Sequence, residues 1–214
     1  AMSAKCQSNL RQVGISFVAY SGDNDDQFPP AYTPGRHTRP YATSWVKLLT
    51  VGDYFPKGIR PDGQADGRIS KVAFCPVQRT SNWGTEWWNY NVSWELLGDA
   101  EPVTGGVPPL YVGQLSRSTS VLLVADVSQG NPGWACGFES PNWEWGGLMA
   151  PHNGRGNMLM ADGHVESHRY HGSLGANGVA ADVGGWDIKI STDTTDQDTA
   201  LVWTRGQLGL IERQ

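Results

Sequence analysis

The sequence predicts an α+β fold, and three observations lead to that prediction. First, apolar or small residues near the start of the chain recur in steps of four and three residues, which is helical spacing: Cys6, Leu10, Val13, Phe17 and Tyr20. Second, the run "TSVLLVADV" (119–127) is continuous and apolar, as buried strands are. Third, "GNMLMADGHVESHRY" contains two strand-like runs around Asp162-Gly163. One helix followed by strands and loops is the order of an α+β protein.

Length and composition indicate one domain without the charge of a nucleic-acid-binding protein. The 214 residues fit a single domain over 1–214, with a helix over 2–22 and a sheet with long Gly- and Trp-rich loops over 31–214. The net charge is −5, and long basic runs are absent, so the electrostatic signature of a nucleic-acid-binding protein is missing. No apolar run reaches the roughly 18 residues that a membrane span requires.

The remaining elements follow in chain order. The segment "SGDNDD" and the following "FPP" end the first helix through a glycine, short polar residues and prolines. "SWVKLLTVGDYFP" predicts a short helix that begins at Ser44, and "KVAFCPVQ" a strand that ends at Pro76. "TSNWGTEWWNYNVSWELLG" is either a strand or an exposed platform, and "TALVWT" near the end is a strand. Asp162-Gly163 predicts a hairpin with a two-residue type I′ turn.

Histidines around this hairpin raise the question of a metal or catalytic site. The period of a strand places His164, Glu166 and His168 on one face, where they could bind Zn²⁺ or form a polar solvent face. We assign His152 to a hydrogen bond that orients the turn at Gly154–Gly156. A metal-dependent hydrolase would require His152, Asp162, His164 and His168 to converge. No nucleophile elbow, phosphate loop or HExxH motif supports enzymatic chemistry, and Cys75 precedes a proline in an apolar run.

Tryptophans in Gly- and Asn-rich segments are a second candidate site. A ligand platform would use Trp83, Trp87, Trp88, Trp143 and Trp145, and Trp94 and Trp134 lie in similar contexts. Exposed indoles stack on sugar rings, which would make the protein a glycan-binding module. The alternative is that the indoles bury long loops against the sheet.

Several motifs together resemble a known family. The stretch "HNGRGNMLMADG" is a histidine, nine residues and Asp-Gly, and it resembles the H-X9-DG signature of prepilin-type, type II secretion pseudopilin-like proteins of planctomycete and verrucomicrobial type. "CQSNLRQVGISFVAYSGDNDDQFPP" resembles the family's helix and acidic turn, and "FCP", "YN" and "STSVLLVADV" resemble its later elements in the same order. The resemblance covers nearly the whole chain, whereas the Trp-rich stretches at 83–94 and 134–145 depart from it.

The resemblance implies a pilin fold and an assembly role. A pilin has a long N-terminal helix, whose first half anchors the subunit in the inner membrane and whose second half packs on an antiparallel sheet. We therefore expect a membrane segment to precede residue 2 in the full-length protein, and an extracytoplasmic location for the rest. Other pseudopilin subunits would be the partners, and His152, Asp162 and Gly163 would define the fold.

A more distant likeness predicts calcium in the tail. The stretch "SLGANGVAADVGGWDI" (173–188) resembles the Ca²⁺-binding loop of major pseudopilins, although Asn177 and Ala180 stand where that loop has acidic residues. Calcium takes six to eight oxygen ligands, several of them carboxylates. The available carboxylates are Asp182, Asp187, Asp193, Asp196 and Asp198.

Three cysteines allow one intramolecular disulfide. We favour Cys75–Cys136 because Cys6 lies on the helix stripe, and Cys6–Cys75 across the helix–sheet contact stays open. The expected function is that of a non-enzymatic subunit of a type II secretion or type IV pilus-like assembly. The alternatives are the glycan-binding module and the metal-dependent hydrolase described above.

Overall fold

Helices and strands of an α+β protein make up the described part of the chain. The computed structural model describes residues 2–31, 45–56, 70–77, 90–98, 108–115, 118–127, 137–138, 148–174, 180, 185–188 and 190. The helices are α1 (Met2–Asp23), α2 (Trp45–Val51) and α3 (Trp94–Leu97). The strands are β1 (Tyr90–Ser93), β2 (Leu122–Asp126), β3 (Gly137–Phe138), β4 (Arg155–Met160) and β5 (Val165–Arg169). The α+β class predicted from the sequence is confirmed.

The strands form one sheet in the order β3-β1-β2-β4-β5. The pairs β1–β2, β2–β4 and β4–β5 are antiparallel, as predicted. The two-residue strand β3 departs from the prediction, because it pairs with β1 in parallel. A register shift between Leu122 and Val124 interrupts the pairing of β2 with β4.

The helix α1 lies against the sheet at β4 and β5. Its predicted apolar stripe is confirmed at Cys6, Leu10, Val13 and Phe17, which are buried, whereas Tyr20 at the end of the stripe is half-buried. The glycine expected to end this helix, Gly22, is still helical. Instead, Asp25 and Asp26 adopt left-handed backbone conformations, which short polar side chains tolerate, and the Asp26 N–H donates to the Ser21 carbonyl.

Apolar side chains cover both faces of the central strands. One core cluster lies between α1, α2 and the sheet, and it contains Val124 and Leu159. A second, smaller cluster lies on the other face and contains Ala125, Met158 and Trp186. Because β2 is buried on both faces, its sequence is a continuous apolar run and does not alternate.

Two strand predictions need correction. The segment "KVAFCPVQ" contains a 3-10 helix, Lys71–Ala73, because the Ser70 hydroxyl accepts the Val72 N–H and starts a turn. Likewise, Ser118–Ser120 are 3-10 helical, so that β2 begins at Leu122, three residues after the predicted start at Thr119. The predicted helix after Ser44 is confirmed from Trp45 onward, and Ser44 and "TALVWT" lie outside the described residues.

The turn between β4 and β5 differs from the predicted type. Only Gly163 has a positive φ (90°), the Gly163 N–H donates to the Met160 carbonyl, and Met160 N–H donates to the His164 carbonyl. This is a three-residue loop with a glycine in the left-handed position, so the predicted type I′ turn is wrong. A two-residue loop lies upstream, at Asn153-Gly154 (φ 54° and 78°), where His152 and Arg155 exchange both backbone hydrogen bonds.

No helix among the described residues has both the length and the apolar character to cross a bilayer.

Candidate functional site

Four buried side chains meet between α1 and the sheet: Cys6, Cys75, His152 and Asp126, called here the thiol–histidine cluster. Cys6 is on the buried stripe of α1, and Cys75 follows the 3-10 helix Lys71–Ala73. Asp126 is the last residue of β2, and His152 begins the Asn-Gly loop before β4. Four segments that are distant in sequence therefore supply one residue each.

The sulfur atoms and the imidazole are in direct contact. The Sγ atoms of Cys6 and Cys75 are 2.7 Å apart, and both residues are thiols in the structure. The Nε2 atom of His152 lies 3.4 Å from Cys75 Sγ and 3.3 Å from Asp126 Oδ2. The side chains of His152 and Asp126 are 3% and 0% exposed, so this pair is shielded from water.

Asn157 on β4 also forms hydrogen bonds with the Asp126 carboxylate. Its backbone N–H donates to Asp126 Oδ2 at 2.8 Å, and its side-chain amide donates to the same oxygen at 3.0 Å. The Asn157 Oδ1 atom accepts a hydrogen bond from Gln7 of α1. The other oxygen of Asp126, Oδ1, is buried without a hydrogen-bond partner among the described residues. A buried carboxylate is favourable only when charged or polar groups compensate it, and His152 and Asn157 do so here.

The pKa values of the cluster reflect this packing. Burial alone would lower the pKa of His152, but the hydrogen bond to Asp126, a contact with Cys6 and the Asp126 charge raise it to about 9. The hydrogen bond from Cys75 lowers the pKa of Cys6 to about 5 against the effect of burial. The pKa of Cys75 is raised, first by its hydrogen bond with Cys6 and then by burial. In the cluster, His152 therefore favours the protonated form, and Cys6 is the more acidic thiol.

Further residues of the sequence motifs surround the cluster. The Tyr90 hydroxyl donates to the Cys6 carbonyl at 3.3 Å, and burial followed by the Asp126 charge raises the pKa of Tyr90. The Asn9 amide donates to the Phe74 carbonyl at 2.8 Å and so ties α1 to the residue before Cys75. The segments "CQSNLRQ", "FCP", "YN", "VADV" and "HNGRG" thus converge at one place.

The cluster has the composition of a metal site. Among the residues that the structure describes, Cys6, Cys75 and His152 are the one group of potential ligands whose donor atoms all lie within 4.8 Å of one another. Thiolate and imidazole are the ligands that Zn²⁺ prefers.

A second group of polar side chains lies in a partly exposed row on the other face of the sheet. His164 lies between Asp162 (2.5 Å) and Glu166 (2.9 Å), and His168 lies between Glu166 (2.5 Å) and Asp187 (3.0 Å). Burial alone would lower the pKa of His164, but hydrogen bonds to Glu166 and Asp162 raise it. Burial would raise the pKa of Glu166, but its hydrogen bonds to the two histidines lower it. The predicted common face of His164, Glu166 and His168 is confirmed.

The structure does not bring the four residues of the hydrolase hypothesis together. Glu166 lies directly opposite Met158 in the register of β4 and β5, and residues opposite each other in an antiparallel pair share a face of the sheet. Because the Met158 side chain belongs to the second core cluster, the row of His164, Glu166 and His168 lies on the face away from α1. His152 contacts Cys75 and Asp126 on the α1 face. The sheet separates His152 from His164 and His168. The hydrogen bonds predicted to orient the turn are made by backbone groups of His152, while its imidazole faces the cluster.

Two other candidate sites fall mostly outside the described residues. Trp83, Trp87, Trp88, Trp143 and Trp145 are all outside, and so are four of the five tail carboxylates: Asp182, Asp193, Asp196 and Asp198. The fifth, Asp187, accepts one hydrogen bond from the backbone N–H of Arg169 and one from the imidazole of His168. Burial would raise the pKa of Asp187, but these hydrogen bonds lower it. Calcium binding and the ligand platform stay predictions.

Sequence reasoning missed Asp126 and the meeting of the two cysteines with His152. The favoured pairing Cys75–Cys136 has no support, since Cys75 contacts Cys6 and Cys136 lies outside the described residues. A signal was available, because each motif behind the family resemblance contributes one residue to this site or its surroundings: Cys6, Cys75, Tyr90, Asp126 and His152. A shared site would explain why such residues occur in apolar segments.

Comparisons of the chain with protein-family models, with curated proteins and with solved structures find no match.

Proposed function

We propose that this protein is a non-enzymatic, pseudopilin-like subunit that assembles through the outer face of α1, outside the cytoplasm. The observation that carries the proposal is the composition of that face. Ile15 and Val18 are 69% and 63% exposed although both are large and apolar. Residues 15 and 18 are three apart and therefore adjacent on a helix surface.

The two faces of α1 differ in what they contact. The inner face packs its stripe on the sheet, whereas Ala4, Arg11, Ile15 and Val18 recur at helical spacing on the exposed side. Small and apolar side chains with a single charge suit packing against a neighbouring helix. A fibre built from such subunits would bury this face.

The thiol–histidine cluster supports a structural role. Its residues are enclosed between helix and sheet, so a substrate has no access to them in the folded chain. The motif residues that carry the pseudopilin resemblance stabilise the junction of α1 with the sheet.

The test is cross-linking between copies in cells that make the full-length protein. Ile15→Cys and Val18→Cys variants are treated with a bismaleimide, and we expect dimers and higher multimers on denaturing gels beyond those of the unsubstituted protein. Leu174→Cys is the matched control, because Leu174 is 47% exposed and bridges to Ala180, which belongs to the core cluster on the other face of the sheet from α1. Multimers of equal abundance from Leu174→Cys, or none from the two α1 positions, would refute the proposal.

A further inference from the structure

We propose that Cys6 and Cys75 are joined by a disulfide that covalently links α1 to the sheet-bearing part of the chain. The proposal is independent of the assembly function and rests on the geometry of the thiol–histidine cluster. It requires a compartment in which disulfides persist.

The distance between the sulfur atoms is the first argument. Unbonded heavy atoms in protein interiors are about 3.5–4.0 Å apart at their optimum. The 2.7 Å between Cys6 Sγ and Cys75 Sγ is well inside that separation. The backbone therefore holds the two side chains where a bond between the sulfur atoms needs only a small further approach.

The same distance argues against zinc. With Zn–S bonds of about 2.3 Å, two thiolates at a tetrahedral ion are about 3.8 Å apart. Cys6 and Cys75 are closer than that.

The proton balance of the bond also fits the cluster. The oxidant is a disulfide donor, such as oxidised glutathione or the active-site disulfide of a thiol oxidoreductase. The Cys6 thiolate attacks the donor, forms a mixed disulfide and releases one donor thiolate, while α1 is still undocked. As α1 docks beside the protonated His152, 3.4 Å from Cys75 Sγ, Cys75 gives its proton to the released donor thiolate, and its sulfur attacks Cys6 Sγ and releases the second donor thiolate.

Atoms and electrons balance in this exchange. Two protein thiols are oxidised to one disulfide, and the donor disulfide is reduced to two thiols. One donor thiol takes its proton from Cys75, and the other takes one from solvent, which received a proton when Cys6 ionised. His152 stays an imidazolium beside the Asp126 carboxylate, 3.3 Å away, throughout.

The experiment is peptide mapping of protein from its native host, quenched in acid and then alkylated with N-ethylmaleimide under denaturing conditions. Trypsin releases Cys6 in "CQSNLR" and Cys75 in "VAFCPVQR". We expect these two peptides as one linked species, lighter by two hydrogen atoms than their sum and separated by reduction. Cys136→Ser is the matched control, and it should retain the linked species in full.

Three results would overturn the proposal. One is alkylation of both Cys6 and Cys75 without prior reduction. Another is a linked species that joins Cys75 to Cys136. The third is equimolar zinc by elemental mass spectrometry together with two alkylated thiols, which would make the cluster a metal site. Because the mapping uses the unsubstituted chain, its outcome does not depend on whether a cysteine variant folds.

Discussion

At the scale of single residues, His152 is the group in the core whose charge matters most. It faces Asp126, Cys75 and Cys6, and Tyr90 and Asn157 complete its surroundings. An imidazolium here neutralises a buried carboxylate, so losing its proton leaves Asp126 buried without a cationic partner. Such a loss is costly because water cannot reach the carboxylate.

This pairing makes stability depend on pH. The pKa of His152 is raised from 6.5 to about 9 in the folded chain, so its contribution is complete below pH 6.5 and is lost as the pH rises through about 9. We expect the free energy of unfolding in urea to fall by on the order of 2 kcal/mol over this range. Once Cys6 is in a disulfide it no longer raises the pKa of His152, and only the rise caused by Asp126 contributes to this pH dependence.

The control for the pH series is His171→Gln, which removes an exposed histidine. The decrease should persist in His171→Gln and become shallower in His152→Gln. An unchanged decrease in His152→Gln would assign the pH dependence to other groups, and the exposed His164 would then be the first to test.

Gly163 illustrates a residue chosen for backbone conformation. Its φ of 90° disfavours any side chain, although an added Cβ would meet no atom within 4 Å. We expect Gly163→Ala to destabilise the protein by about 1 kcal/mol through backbone strain alone. The matched control is Gly22→Ala, also in open space but helical, which should be neutral or stabilising. Thermal melting of both variants decides, and equal melting temperatures would contradict the strain argument.

At the scale of elements, α1 has two faces with different energetic roles. Leu10 is fully buried against the sheet, and Ile15 is 69% exposed, although both side chains have the same number of carbon atoms. We expect Leu10→Ala to cost about 2–5 kcal/mol, because it leaves a cavity in the core, and Ile15→Ala to change stability by less than about 0.5 kcal/mol. Chemical denaturation measures both, and similar losses would mean that α1 is not oriented as described.

Elements that are defined by neighbouring residues were predicted correctly, whereas an element held by contacts between distant parts of the chain was not. The helix α1 and the hairpin of β4 and β5 carry their periods in the local sequence, and both predictions are confirmed. The segment "KVAFCPVQ" has strand-like composition, but a Ser70 cap and the contact of Asn9 with Phe74 hold it as a 3-10 helix beneath α1. Composition alone could not reveal a contact that spans 65 residues of chain.

At the scale of the whole molecule, the outer face of α1 is the surface through which we propose that a second subunit binds. We expect Ile15→Lys to abolish the multimers formed by Val18→Cys cross-linking, because a buried lysine would lack a counter-charge in the helix interface. Melting of Ile15→Lys should match that of the unsubstituted protein, since Ile15 is exposed in the single chain. Retained multimers would place the interface elsewhere, and a large loss of stability would show that the face belongs to the core.

The sequence by itself determined the α+β class, the extent and buried stripe of α1, and the pair of strands around Gly163, because these follow from periods of 3.6 and 2 residues and from local turn chemistry. Every residue of the thiol–histidine cluster also lies within one of the sequence motifs that carry the family resemblance. Only the tertiary structure decided that Cys6, Cys75, Asp126 and His152 meet, and that the sheet separates His152 from His164 and His168. The reason is physical: burial and contact between distant segments arise when α1 docks on the sheet, and no local period records which buried faces will meet.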